Sequence, residues 1–261
     1  MELSLKGRTA LVCGSTQGIG LATAIELSLL GASCILLARN EERLQAAIQQ
    51  LDISRGQQHG YYVADFSKEA EVARVSQEIA GTGTVHVLIN NTGGPAGGAI
   101  KDATTEAFAA AFQQHLLCNH LLTRAMVPGM REACYGRIIN IISTSVKAPI
   151  PGLGVSNTTR WAVASWAKTL AGELAPYGIT VNNVLPGNTD TTRLRSLISS
   201  TAKQRQVTEE VVTQERLAEI PMGRFGTAGE IAAMAAFLAT PAAAYITGTS
   251  TAVDGGKTPV M

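Results

Sequence analysis

The chain has 261 residues, 46% of them hydrophobic and 16% charged, with a formal net charge of +1. That composition supports a large buried core and excludes a disordered chain, and so small a net charge gives no reason to expect nucleic acid or an acidic membrane as a partner. No apolar run approaches the ~20 residues of a membrane span, the opening residues carry no signal-peptide pattern, and Cys13, Cys34, Cys118 and Cys134 fit no zinc spacing, so a cytoplasmic protein without a structural metal is expected.

Strands and helices alternate along the chain. Arg8 to Leu11 is a run of strand type, and Leu21 to Leu27 reads as a helix. Between them lies a glycine loop that includes Gly14, Ser15, Thr16, Gln17, Gly18, Ile19 and Gly20. Gly14 allows a tight turn, Gly18 lets backbone approach a pyrophosphate, and Gly20 lets the helix pack close to the strand. Amides at the helix start then face phosphate charge. The spacing is Gly-x-x-x-Gly-x-Gly rather than the Gly-x-Gly-x-x-Gly of other dinucleotide folds.

Gly31 is a natural helix stop. A second strand is expected at 33–38, with a helix at 41–51, and a third strand at 61–64. Asp65, Phe66 and Ser67 are expected to cap the next helix, which runs to Ala80. A fourth strand at 85–89 ends at Asn90-Asn91-Thr92-Gly93-Gly94. A long helical region covers 105–132, a fifth strand 137–142, a helix 157–175 and a sixth strand 180–185. The segment 191–222 reads as a polar helical hairpin able to form a lid. A helix at 228–238 and a strand at 251–254 close the chain. Near-continuous apolar strands separated by helices indicate a single α/β domain over 1–261, doubly wound, with a mostly parallel seven-stranded sheet covered on both faces.

Taken together, these markers resemble the short-chain dehydrogenase/reductase family over essentially the full length. The resemblance is carried by the glycine loop, Asp65, Asn90-Asn91-Thr92-Gly93, Pro186-Gly187 and Tyr245-Ile246-Thr247-Gly248 leading to Val253-Asp254-Gly255-Gly256. It implies a nicotinamide cofactor at the C-terminal ends of the strands and commonly a homotetramer. It further implies that Asp65, with Phe66 beside it, lies at the adenine. Asn91, Thr92 and Gly93 would then lie along the adenosine ribose, and Pro186, Gly187, Thr189 and Thr191 near the nicotinamide. At the end of the second strand an acidic residue would hold the ribose of NAD. Arg39 stands there instead and can pair with a 2′-phosphate, so NADP(H) is expected over NAD(H). The alternative for Arg39 is a solvated side chain.

The catalytic stretch departs from the family. A Tyr-x-x-x-Lys pair is expected there, with a serine before it. The phenol gives a proton to the carbonyl oxygen, and the lysine holds the nicotinamide ribose and lowers the phenol's pKa. Alignment on the flanking helix puts Ser156 at the tyrosine position and Arg160 at the lysine position, while Ser143 keeps the family serine. His115 falls where the family has an asparagine that holds a water. Ser156 can bind a carbonyl or hold a water, and Arg160 can fork onto ribose hydroxyls without passing a proton. His115 is expected to titrate near neutrality and feed a proton to the site, or else to be an ordinary helix histidine.

Three readings follow. The first is an NADP-dependent oxidoreductase interconverting a carbonyl and an alcohol, 3-oxoacyl reductase-like, with a rewired proton relay. The second is a dinucleotide-binding protein with little redox turnover, acting as sensor or assembly partner. The third is a non-redox enzyme such as the halohydrin dehalogenases, which carry Arg at the lysine position but remodel the glycine loop that survives here. Arg193, Arg195, Lys203 and Arg205 make the first half of the hairpin basic. An anionic substrate is one explanation, and pairing with Glu209, Glu210 and Glu215 is the other.

Overall fold

The computed structural model describes residues 1–259. Seven strands form one sheet, and every pairing in it is parallel. They are β1 (Thr9–Cys13), β2 (Ser33–Ala38), β3 (Gly60–Val63), β4 (Val87–Asn90), β5 (Gly136–Ile141), β6 (Ile179–Pro186) and β7 (Ser250–Val253), in the order β3-β2-β1-β4-β5-β6-β7. Side chains alternate across a strand, and β1 shows what that builds. Ala10 and Val12 enter one core with Leu27, Leu44 and Ile231, whereas Leu11 and Cys13 enter the other with Val72, Leu88 and Leu122. All six residues of β5 are buried, as a central strand covered on both faces requires.

The helices α1 (Gly18–Leu29) and α2 (Glu41–Ile48) lie on the first face with α9 (Ala228–Ala239), and α3 (Glu69–Thr82), α5 (Cys118–Glu132) and α6 (Gly154–Leu174) on the second. Gly31, with φ +97°, ends α1 as expected. The expected cap at Asp65 is corrected. Its Oδ1 accepts from the Ser67 amide at 2.9 Å, closing a local turn, and α3 begins later, at Glu69.

The long helical region at 105–132 is interrupted. α4 (Thr105–Phe112) passes into one π-helical turn, Gln113–Leu117, before α5 resumes. A row of amides crosses the sheet beneath the site. Asn90 Nδ2 donates to Asn140 Oδ1 at 2.9 Å, Asn140 Nδ2 to Asn183 Oδ1 at 2.9 Å, and Asn183 Nδ2 to Ser250 Oγ at 3.0 Å. The register pairs each of these residues with the next.

The expected hairpin is present as α7 (Thr192–Arg205) and α8 (Glu209–Ala218). Leu194, Ile198, Ala202 and Val212 give it a small core of its own. Part of its basic character is spent locally, since Arg195 pairs with Asp190 and Arg205 with Glu215. At the other end of the chain, β7 is a sheet edge. The apolar face of α9 is largely covered, with Ile231, Ala232, Ala235, Ala236, Leu238 and Ala239 buried. No helix among the described residues is long and apolar enough to cross a membrane, and Cys13 and Cys34 are buried free thiols.

Candidate active site

The strand order reverses between β1 and β4, and a doubly wound sheet binds its ligand in the crevice outside the strand ends at that point. A cleft of about 310 Å³ opens there. The glycine loop forms one side. Gly14 and Gly18 hold φ of +59° and +56°, which only glycine adopts without strain. A Cβ on Gly20 would stand 2.2 Å from the Gly14 carbonyl oxygen, so the start of α1 can press on the loop only with glycine there. Asn91 fastens the loop from across the switch point, its Nδ2 donating to the carbonyls of Cys13 and Gly14, each at 3.2 Å. A Cβ on Gly18 would meet Thr191 in ordinary contact, 3.5 Å from its Cγ2. Beneath the loop, the Ser15 hydroxyl is buried without a partner. An open backbone concavity at a helix N-terminus fits a pyrophosphate.

Many residues singled out in the sequence line this one cleft. Gly14, Gln17, Gly18, Ile19, Asn91, Thr92, Gly93, Pro186, Gly187, Thr189 and Thr191 do so, together with Ser143, Ser156 and Arg160. Ser15, Thr16, Gly20, Arg39, Asp65, Phe66 and His115 do not. Ser15 and Gly20 are buried behind the loop. Arg39 is exposed at the end of β2, the strand whose Leu37 carbonyl accepts from the Gly14 amide at 2.8 Å. The Ser67 amide and hydroxyl, then the Arg39 charge, hold Asp65 below the usual carboxylate range.

The catalytic stretch is placed by β5 and α6. Ser143 follows β5, and its Oγ accepts from the Ser145 amide at 3.0 Å, which leaves the hydroxyl proton free to donate. Ser156 stands in the first turn of α6 and Arg160 one turn on. Arg160 is buried, and its Nη1 donates to the Ile141 carbonyl at 3.3 Å. Burial first, then the Arg193 charge, brings its pKa down to about 10, so it stays cationic at neutral pH. No tyrosine is among the described residues that line the cleft.

The expectation for His115 is corrected. It sits in the π-helical turn, 1% exposed, and burial, then the charges of Arg160 and Arg193, push its pKa down to about 2. It therefore does not titrate near neutrality and holds no imidazolium proton to give. Its Nδ1 lies 2.5 Å from Thr92 Oγ1, and its Nε2 has no partner. Thr92 stands between this ring and the cleft.

Sequence reasoning missed part of the lining. Arg193, read as a lid charge, turns inward, and Asn188, Arg216, Lys257, Leu153, Leu194 and Leu197 join it. The lining thus holds four cationic side chains and no carboxylate. Lys257 is paired with Glu219 at 2.6 Å. The inward turn depends on how the hairpin folds back, which no local pattern reports.

Such a cleft on such a sheet defines a class, the doubly wound dinucleotide-binding proteins. Comparison with known proteins narrows it. A family model described as enoyl-(acyl carrier protein) reductase matches residues 14–258. A Streptomyces virginiae protein described as a ketoacyl reductase of the monensin polyketide synthase is 36% identical, covering 95% of this chain and 96% of its own. The 3-oxoacyl-(acyl-carrier-protein) reductase of Pseudomonas aeruginosa is 32% identical over 97% and 98%. The crystal structure of L-sorbose reductase from Gluconobacter frateurii, complexed with NADPH and L-sorbose, superposes with a TM-score of 0.92 at 29% identity, covering both chains completely. The chain belongs to the short-chain dehydrogenase/reductase family.

Proposed function

We propose that the protein is an NADPH-dependent reductase of small carbonyl compounds, of the 3-oxoacyl reductase type, that works without the family's phenol. The observation that carries this reading is the convergence of an intact glycine cradle with Ser143, Ser156 and Arg160 in one cleft. Gly14, Gln17, Gly18 and Ile19 would hold the pyrophosphate, Asn91 and Gly93 the adenosine ribose, and Pro186, Gly187, Thr189 and Thr191 the nicotinamide end. Arg39, standing at the end of β2 where an NAD-binding site would carry a carboxylate, favours the 2′-phosphate. NADPH in this cradle supplies the hydride. Arg160 replaces the lysine as a cation for the ribose hydroxyls. Ser143 and Ser156 donate hydrogen bonds to the carbonyl oxygen, and a water between them, polarised by Arg160, gives the proton. His115 is neutral, so it supports this arrangement only through Thr92.

The missing phenol favours a second reading, a dinucleotide-binding protein with little turnover. One experiment separates the two. NADPH binding is measured by calorimetry, and NADPH consumption is followed with a panel of oxo acids, oxo esters and ketoses. Tight binding with slow consumption is expected. Tight binding with no consumption on any carbonyl would leave only the second reading. The family resemblance also supports a cytoplasmic homotetramer, in which the unpaired edge of β7 would be covered.

A further inference from the structure

The lining of the cleft carries more positive charge than a ribose contact needs. Arg193 projects from the first turn of α7, and its Nη2 donates to the Pro95 carbonyl. The turn before Pro95 leaves room for it, since a Cβ on Gly94 would stand 3.3 Å from Nη2. Arg216 reaches the same cleft from α8, and its Nε is buried with no partner. The other hairpin arginines differ, as Arg195 and Arg205 are tied to Asp190 and Glu215 at the surface. A half-buried guanidinium without a carboxylate is costly unless an anion completes it.

Two anions could do so, the dinucleotide or the substrate. The pyrophosphate belongs at the N-terminus of α1. Arg193 instead seats against Gly94 and Pro95, and its charge is felt at both Arg160 and His115, which puts it at the reacting end. An anion held there is close to the reacting carbonyl. A phosphate at the far end of a carrier arm does not meet that condition, but a carboxylate one or two carbons from a ketone does. The planar fork of an arginine matches a carboxylate.

We infer that Arg193 and Arg216, carried by the α7–α8 hairpin, form a carboxylate subsite, and that the substrate is a small oxo acid. This rests on the reductase reading above and specifies its substrate class. The hairpin then acts as a carboxylate clamp, and closing it over the ligand brings both guanidiniums to the anion.

The test uses binding, so it does not depend on turnover. Acetoacetate and methyl acetoacetate are titrated calorimetrically into the full-length protein saturated with NADP+. The acid should bind at least about tenfold more tightly than the ester, the difference that one charge-assisted pair makes. In Arg193→Met and in Arg216→Met that preference should shrink about tenfold, while NADP+ affinity stays within about twofold of wild type. Arg193→Lys should retain part of the preference, because it keeps the charge without the fork. Equal binding of acid and ester to the wild type would overturn the subsite, and that comparison needs no variant. A parallel loss of NADP+ affinity in the arginine variants would assign the guanidiniums to the dinucleotide and overturn it as well. Failure of the wild type to bind NADP+ at all would remove the reductase reading together with the subsite.

Discussion

His115 has a depressed folded-state pKa, near 2, against about 6.5 in an unfolded chain. Between these values the unfolded state binds the extra proton, so stability is full above about pH 6.5 and falls as pH drops. At pH 5 the loss attributable to this ring is about 2 kcal/mol. His115→Asn should flatten the decline in unfolding free energy between pH 7.5 and 5, measured by urea denaturation; a decline as steep as wild type would show that the ring is solvated. Catalysis gives a second test at the same scale. Ser156→Tyr combined with Arg160→Lys and His115→Asn restores the family's residues. A positioned acid contributes ~10²–10⁴-fold in rate, so NADPH consumption on an activated ketone should rise by up to that factor. A wild type already as fast as phenol-bearing relatives would refute the water relay. Arg39 is the third residue to test. It is exposed, so its pairing with a phosphate is partly screened, and Arg39→Ala should weaken NADPH binding roughly tenfold and leave NADH unchanged. Equal losses for the two cofactors would return Arg39 to the role of a solvated side chain.

Among the elements, the buried amide row is the most exacting. Asn140 joins Asn90 to Asn183 at the centre of the sheet. Asn140→Ala strands a donor on one neighbour and an acceptor on the other, each costing ~1–3 kcal/mol when buried. A fall of about 2–4 kcal/mol in unfolding free energy is therefore expected from urea denaturation, and a change under ~1 kcal/mol would mean that water replaces the lost amide. Most elements were legible because local pattern and packing agree. β2 occupies 33–38 as expected, an apolar run between Gly31 and the helix-capping Asn40, whose side chain accepts from the Arg43 amide. α6 begins at Gly154, three residues before expected. Its first residue is held in a tertiary contact that no local pattern reports, since a Cβ on Gly154 would stand 2.4 Å from Ile100 Cβ, across 54 positions of sequence.

For the whole molecule, the glycine-loop side of the cleft was readable and the hairpin side was not. Glycines announce a backbone shape wherever they sit, and Gly14, Gly18 and Gly20 do so within seven residues. Arg193 and Arg216 look like any other surface arginines until the hairpin turns them inward. His115 was found by its position, but the acidity of its ring depends on burial and on two distant guanidiniums. Assembly is tested at this scale too. β7 exposes one unpaired edge, and Trp161 and Leu117 stay 50% and 44% exposed on neighbouring parts of the helical face. A single chain weighs 27.3 kDa. Sedimentation at micromolar concentration should show a species near four times that mass, and a sharp monomer boundary would refute the tetramer.

The π-helical turn at Gln113–Leu117 has a consequence for how the sequence tolerates length change. One more residue per turn than an α-helix needs means that this helix carries a surplus residue. Deleting Leu117 would let the hydrogen-bond ladder run unbroken, and because the wide turn already takes up roughly one residue's ~100° of rotation, α4 and α5 would keep their relative phase. Most single deletions in a buried helix break its packing, whereas this one is expected to yield a chain that still folds, because α5 keeps its own register against the sheet. Closing the wide turn would re-aim His115, which stands inside it, away from Thr92, so the shortened chain should keep its helical circular dichroism and lose carbonyl reduction.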